Sequence, residues 1–141
     1  MNKRRVNDLI PKAYEVLSIT GIAKNGTIQK TFRGQIATFG AAISMGSLLS
    51  AIAFFSNDGD ASVERSKLIK AIHILIDPNS NNKDLFEFTK SKIKNGQENI
   101  AKEEVINGAI ALKLAMNFYH FNKTSPKSLN NDGGVFDDQQ P

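Results

Sequence analysis

The chain has 141 residues, no cysteine and a formal net charge of +4. Its length suits one domain with a hydrophobic core of its own. The lack of cysteine excludes a disulfide framework, a Cys-ligated zinc site and thiol catalysis, and we expect a cytoplasmic protein. The basic first residues lack the apolar segment and cleavage site of a secretory signal.

Charge is unevenly distributed along the chain. Residues 1–33 hold seven basic and two acidic side chains, whereas residues 130–141 hold three aspartates and no basic residue. A basic body with an acidic end favours a polyanionic partner, above all nucleic acid. The alternative is that lysine-rich helix faces are simply solvated.

The first predicted helix spans about residues 3–20, where apolar side chains recur at helical spacing. Pro11 either kinks this helix or lies in the first turn of its regular part. Residues 20–30, TGIAKNGTIQK, contain Gly21 and the pair Asn25-Gly26, and we interpret them as a loop.

Residues 36–55, IATFGAAISMGSLLSAIAFF, contain no charged side chain and approach the length of a membrane span. Gly46 is a suitable helix end and Ser47 a suitable N-cap, so the run divides into two shorter helices. We expect Phe39 and Leu49 to point inward. The run is therefore interpreted as the buried centre of a helical bundle and not as a membrane span.

Three further helices follow, at about residues 63–76, about 85–93 and about 99–121. No alternating strand pattern of useful length is present. Residues from 124 onward are mainly Pro, Ser, Asn, Asp, Gly and Gln, which is typical of disorder. The predicted fold class is all-α, a compact bundle of about six helices in a single domain over 1–123, with a flexible acidic tail over 124–141.

Motifs for chemistry are absent from the sequence. It has no phosphate-binding loop, no G-x-G-x-x-G segment and no carboxylate pair suited to acid–base catalysis. His73 and His120 are treated as isolated, so we predict no metal site, no cofactor and no enzymatic activity. A helix-turn-helix is not expected, because the helix after the 20–30 loop is uncharged. Aromatic base-stacking modules are not expected either.

What remains is sequence-independent contact of lysine and arginine with nucleic-acid phosphates. Candidate RNA-facing residues are therefore chosen on charge alone. They are Lys3, Arg4, Arg5, Lys12, Lys24, Lys30, Arg33, Arg65 and Lys67.

Several apolar blocks resemble, in their order and spacing, the small-subunit family of type III-B CRISPR effector complexes, the Cmr complexes. The blocks are Phe39-Gly40, residues 41–44, residues 46–49, residues 53–55 and residues 65–68. The segments GIAKNGTIQKTFRG and AIALKLAMNFYHF also look like that family. The resemblance covers residues 4 to about 121.

The resemblance implies a non-catalytic subunit of an RNA-guided, RNA-targeting complex in antiviral defence. Copies of the chain would stack as a filament beside the backbone subunits, with the large subunits as further partners, and would stabilise guide RNA and target RNA. The family supplies no ligand motif that can be carried over to particular residues. The alternative hypothesis is a protein-only helical scaffold or adaptor that does not touch nucleic acid.

Overall fold

Six α-helices pack around one hydrophobic core in the computed structural model, which describes residues 1–122. The predicted all-α bundle of about six helices is therefore confirmed. The predicted tail, 124–141, lies outside the described residues. The helices are α1 Lys3–Ile19, α2 Lys30–Met45, α3 Leu48–Ser56, α4 Ser66–Ile76, α5 Leu85–Lys94 and α6 Glu98–Ala115.

Helix α6 is the centre of the bundle and contacts α1, α2, α4 and α5. Small residues let the neighbouring helices approach it closely. A Cβ added at Gly108 would lie 3.2 Å from a methyl group of Ile76 on α4, a tight contact that would require the Ile76 side chain to shift. The uncharged run contributes buried residues to the core, as predicted, but the prediction that it forms the centre is wrong, because α6 occupies that position.

The uncharged run does divide at Gly46 and Ser47, as predicted. Helix α2 ends at Met45, and the Ser47 hydroxyl accepts a hydrogen bond from the Ser50 backbone N–H (3.3 Å) at the start of α3. Phe39 is buried, whereas Leu49 is only half-buried. Within residues 1–122, no helix combines the length and the apolar character needed to cross a membrane.

Helix α1 is continuous through Pro11. One of the two predicted possibilities, that the regular part of the helix begins at Pro11, is therefore wrong. Pro11 is exposed. Asn2 is the N-cap of the helix, and its side-chain oxygen accepts from the Arg5 backbone N–H (3.1 Å).

A small three-stranded sheet was not predicted. Strands β1, Ala23–Lys24, and β2, Thr27–Gln29, form an antiparallel hairpin, and β3, His120–Asn122, pairs with β2 in parallel. The two-residue turn is Asn25-Gly26, with φ of 55° and 76°, as a tight hairpin requires. The predictions of a loop over 20–30 and of a helix reaching 121 are wrong at these strands.

Candidate nucleic-acid interface

Four of the nine candidate basic residues come together around the small sheet. Lys24 lies on β1, Lys30 and Arg33 lie in the first turn of α2 directly after β2, and Lys67 reaches over from α4. We call this group, Lys24, Lys30, Arg33 and Lys67, the basic hairpin end.

Two of these lysines converge above Gly21. This glycine ends α1 with a left-handed φ of +79°, and its N–H donates to the Ser18 carbonyl (3.1 Å). A Cβ at this position would lie 3.4 Å from Lys67 Nζ and 3.8 Å from Lys24 Cε. Glycine therefore meets a backbone requirement and also keeps the space between the two lysines open.

The start of α2 adds to the positive potential. Lys30 and Arg33 are exposed, and the Arg33 guanidinium carbon lies 5.3 Å from the centre of the Phe121 ring. Gln29, the N-cap residue, makes no side-chain cap hydrogen bond. The helix dipole favours negative charge at this end of α2.

The candidates on α1 do not form a concentrated basic patch. Arg5 makes a two-pronged contact with Glu104 of α6, with nitrogen–oxygen distances of 2.9 and 3.4 Å. Lys3, Arg4 and Lys12 are exposed. The carboxylates of Asp8 and Glu15 are also exposed on α1, and they reduce the positive potential around these three basic residues.

Arg65 has a structural role and is not a free surface charge. Its guanidinium carbon lies 4.2 Å from the centre of the Phe54 ring. Its Nε donates to the Asn57 carbonyl (2.9 Å) and its Nη2 to the Phe54 carbonyl (3.3 Å). These contacts tie the loop after α3 to the start of α4.

Sequence reasoning missed the polar face of the sheet. Side chains alternate along a strand, and the pairing places Lys24 opposite Thr27 and Thr27 beside His120. Gln29 and Asn122 form the next row on the same face. The turn pair Asn25-Gly26 was the available signal, since it is a strong indicator of a two-residue hairpin.

His73 is not isolated, contrary to the interpretation from sequence. Asp77 follows it by one helical turn, and His73 Nε2 donates to Asp77 Oδ2 at 2.9 Å in a buried pair. The Asp77 carboxylate also accepts from the backbone N–H groups of Asn81 (3.1 Å) and Asn82 (2.9 Å). This arrangement organises the loop after α4. Within residues 1–122, no three metal-ligating side chains form a group that could hold an ion.

An exposed aromatic cluster lies where the chain leaves α6. Tyr14 stacks on Tyr119 with ring centres 4.7 Å apart, and the edge of Phe118, which is 68% exposed, meets Tyr14. The Tyr119 hydroxyl donates to the Tyr14 carbonyl (2.7 Å). Burial, and then the neighbouring Tyr14, raise the pKa of Tyr119. The cluster anchors the segment leading to β3 against α1.

Comparisons of the chain with protein-family models, with curated proteins and with solved structures gave no match.

Proposed function

We propose that this protein is the non-catalytic small subunit of an RNA-guided, RNA-targeting complex of the type III-B CRISPR class, the Cmr complexes. The observation that carries the proposal is the basic hairpin end. Three of its residues, Lys24, Lys30 and Arg33, are exposed and make no ion pair with other described residues. The order of the apolar blocks and the all-α fold also support it.

The proposed role is to stabilise guide RNA and target RNA along their phosphates. Lysine and arginine neutralise phosphates without reading base sequence, and the released counterions make such binding sensitive to salt. The partners are the backbone and large subunits, both RNA strands and further copies of this chain. Cleavage belongs to other subunits in this proposal.

A protein-only scaffold is the second candidate function, and the outer face of α2 favours it. Helix α2 buries one stripe of residues against the bundle, and its opposite face is exposed although it carries little charge. Uncharged, exposed helix faces suit contact with another protein. The residues of this face are Gly34, Ala37, Thr38, Ala41, Ser44 and Met45.

Ultraviolet crosslinking of the assembled complex distinguishes the two functions. The test variant reverses charge at the hairpin end, with Lys24→Glu, Lys30→Glu and Arg33→Glu. We expect RNA adducts on the parent chain and their loss in this variant, with the complex still assembled.

A matched control reverses three lysines of α5, at Lys90, Lys92 and Lys94, and we expect it to keep the adducts. Assembly without RNA adducts on the parent chain would favour the scaffold. Reversal of Arg5 is not a clean test, because it also breaks the contact with Glu104.

Co-purification from the native host tests the family assignment itself. We expect the tagged chain to recover a guide RNA together with the large and backbone subunits. A sample that lacks both would contradict the assignment.

A further inference from the structure

A cleft of about 410 Å³ lies beside the basic hairpin end. The polar face of the sheet forms one wall, with Lys24, Thr27 and Asn122. The loop over 58–64 and Lys67 form the other wall. Clefts of this size hold small-molecule ligands. The proposed contact with phosphates along an RNA strand does not require such a cleft.

We infer that this cleft binds one ribonucleotide unit, with its phosphate between Lys24 and Lys67. The inference rests on the proposed function, because an RNA strand that follows the basic hairpin end would present such a unit to the cleft. It adds to that function a defined pocket for sugar and base.

The phosphate position follows from Gly21. The side chains of Lys24 and Lys67 come within 4 Å of one point, the place where a Cβ of Gly21 would lie. The ammonium group of a lysine is a compact donor with three N–H groups and suits a phosphate oxygen. No side chain from residue 21 occupies the space between them.

Two carboxylates in the same cleft narrow the class of ligand. Asp58 uses Oδ1 to accept from the Ser66 backbone N–H (2.9 Å), and Glu64 lies 3.8 Å from Lys67 Nζ with its side chain 65% exposed. Two lysines and two carboxylates leave the lining without net charge, which disfavours a polyphosphate. Carboxylate oxygens instead accept from hydroxyl groups, and a ribose offers its 2′-hydroxyl as a donor.

The remaining lining suits a nucleobase. Three apolar core residues, Ile22, Phe32 and Val63, are among the residues that line the cleft. The amides of Gln29 and Asn122 stand next to each other on the sheet and offer both donors and acceptors to a base edge.

A nuclear magnetic resonance titration of the full-length chain tests the cleft directly. The probes are uridine monophosphate, uridine alone and inorganic phosphate. We expect uridine monophosphate to shift the backbone signals of Gly21, Thr27 and Gly59 more strongly than either fragment does. Equal shifts with inorganic phosphate, or shifts scattered over the chain, would overturn the inference.

Matched charge variants test the assigned roles. Lys67→Gln should weaken binding of uridine monophosphate and of a single-stranded oligouridylate about tenfold, the effect of losing one charged hydrogen bond. Glu64→Gln should tighten binding, because it frees Lys67 and removes a negative charge. The control pair Lys90→Gln and Glu87→Gln breaks an equivalent one-turn ion pair on α5 and should leave binding unchanged.

A cleft-filling variant separates this inference from the proposed function. Ala61→Trp adds bulk to the lining without a change of charge. Because the inference uses a ribose 2′-hydroxyl, we expect the parent chain to prefer oligouridylate over oligodeoxythymidylate. We expect the variant to be folded, as checked by circular dichroism, and to lose both uridine monophosphate binding and this preference. If that preference survives, the cleft inference fails and the proposed function stands.

Competition between uridine monophosphate and the oligouridylate shows whether the bound unit belongs to an RNA strand or is a free nucleotide. An oligouridylate that displaces uridine monophosphate at lower concentration supports a unit within a strand. An oligouridylate that never displaces it supports a free nucleotide as ligand and overturns the link to the RNA-bound function. Loss of RNA crosslinks from the whole complex while uridine monophosphate still binds would contradict the proposed function alone.

Discussion

Arg65 is a single side chain held by two backbone carbonyls and an aromatic ring, the ring of Phe54. We predict that Arg65→Ala lowers the free energy of unfolding by about 1–3 kcal/mol, because it removes charged hydrogen bonds and a cation–π contact. Lys30→Ala, a control on an exposed lysine, should change it by less than about 0.5 kcal/mol. Urea denaturation followed by circular dichroism measures both values.

If Lys30→Ala lowered the free energy of unfolding more than Arg65→Ala does, Arg65 would act as a free surface charge. In the proposed complex, Arg65→Lys should reduce stability without a specific loss of RNA contact.

The buried Asp77 predicts a pH-dependent contribution to stability. Burial alone would raise the pKa of Asp77, but the hydrogen bonds from Asn82, His73 and Asn81 outweigh it and hold that pKa below its usual value. The stabilisation is therefore complete at neutral pH, above the pKa of about 3.9 in the unfolded chain, and is lost as pH falls through the lower folded pKa.

We expect Asp77→Asn to cost about 1–3 kcal/mol of unfolding free energy at pH 7 and progressively less as the pH falls below about 4. Urea denaturation at a series of pH values gives the difference between variant and parent. Asp60→Asn, at an exposed aspartate, is the matched control for the substitution itself. A deficit that is constant with pH would contradict the assigned role of the carboxylate.

At single residues, sequence reasoning identified charge but not its use. Lys24 and Arg65 look alike as isolated basic residues in a sequence. Their difference lies in partners on other elements, such as the Phe54 ring and the Asn57 carbonyl, which residue type and spacing do not disclose. The His73–Asp77 pair lies within one helical turn and could have been found from sequence.

At the scale of elements, the break between α2 and α3 rests on one cap. Ser47→Ala removes the hydrogen bond to the Ser50 N–H and should cost about 1 kcal/mol of unfolding free energy. Ser44→Ala, on the exposed face of α2, is the matched control and should be nearly neutral. Equal effects of the two substitutions would show that the cap does not define the break.

The buried stripe of α2 gives a second prediction at this scale. Phe39→Ala should cost about 3–5 kcal/mol, because its ring is fully buried and packs on Phe55 with ring centres 5.2 Å apart. Phe54→Ala should cost less, because that ring is 60% exposed. Thermal and urea denaturation of the pair measure the difference, and equal losses would contradict a one-sided burial of the uncharged run.

Helices could be predicted from the sequence because their apolar spacing recurs over many residues. The stripe Phe32, Ile36, Phe39 and Ile43 has such a period, as do the residues of α4. Strands of two or three residues show no period. The position of β3 depends on pairing with distant β2, so the helical interpretation of residues up to 121 had no local signal against it.

At the scale of the whole molecule, the position of the charges predicts how the proposed RNA binding responds to salt. We expect the full-length chain with Lys24→Gln, Lys30→Gln and Arg33→Gln to bind single-stranded RNA more weakly. The slope of log K against log salt should fall in magnitude by about 2, since each lost phosphate contact removes about 0.7. Fluorescence anisotropy over a salt series measures both quantities.

The same three substitutions on α5, at Lys90, Lys92 and Lys94, are the matched control for net charge. They should leave the slope close to that of the parent. A slope that depends only on the number of charges removed would show that binding follows net charge and not the basic hairpin end.

The candidate site as a whole was only partly predictable. Charge named Lys24, Lys30, Arg33 and Lys67, but equally named the residues of α1. The two groups differ in their tertiary contacts. Arg5 of α1 pairs with the carboxylate of Glu104 on α6, whereas the basic hairpin end lies beside Gly21 and the polar face of the sheet.

The parallel pairing of β2 with β3 also has a consequence for the order of events during synthesis. Thr27 lies beside His120, so the wall of the cleft that the sheet forms combines early strands of the chain with a much later one, β3. A ribosome must therefore release nearly the whole helical bundle before Asn122 can take its place. Loop-closure entropy further disfavours this long-range pairing until the helices have packed. The cleft is thus completed on a chain whose core is already in place, and a nascent fragment has no finished site with which to capture a ligand.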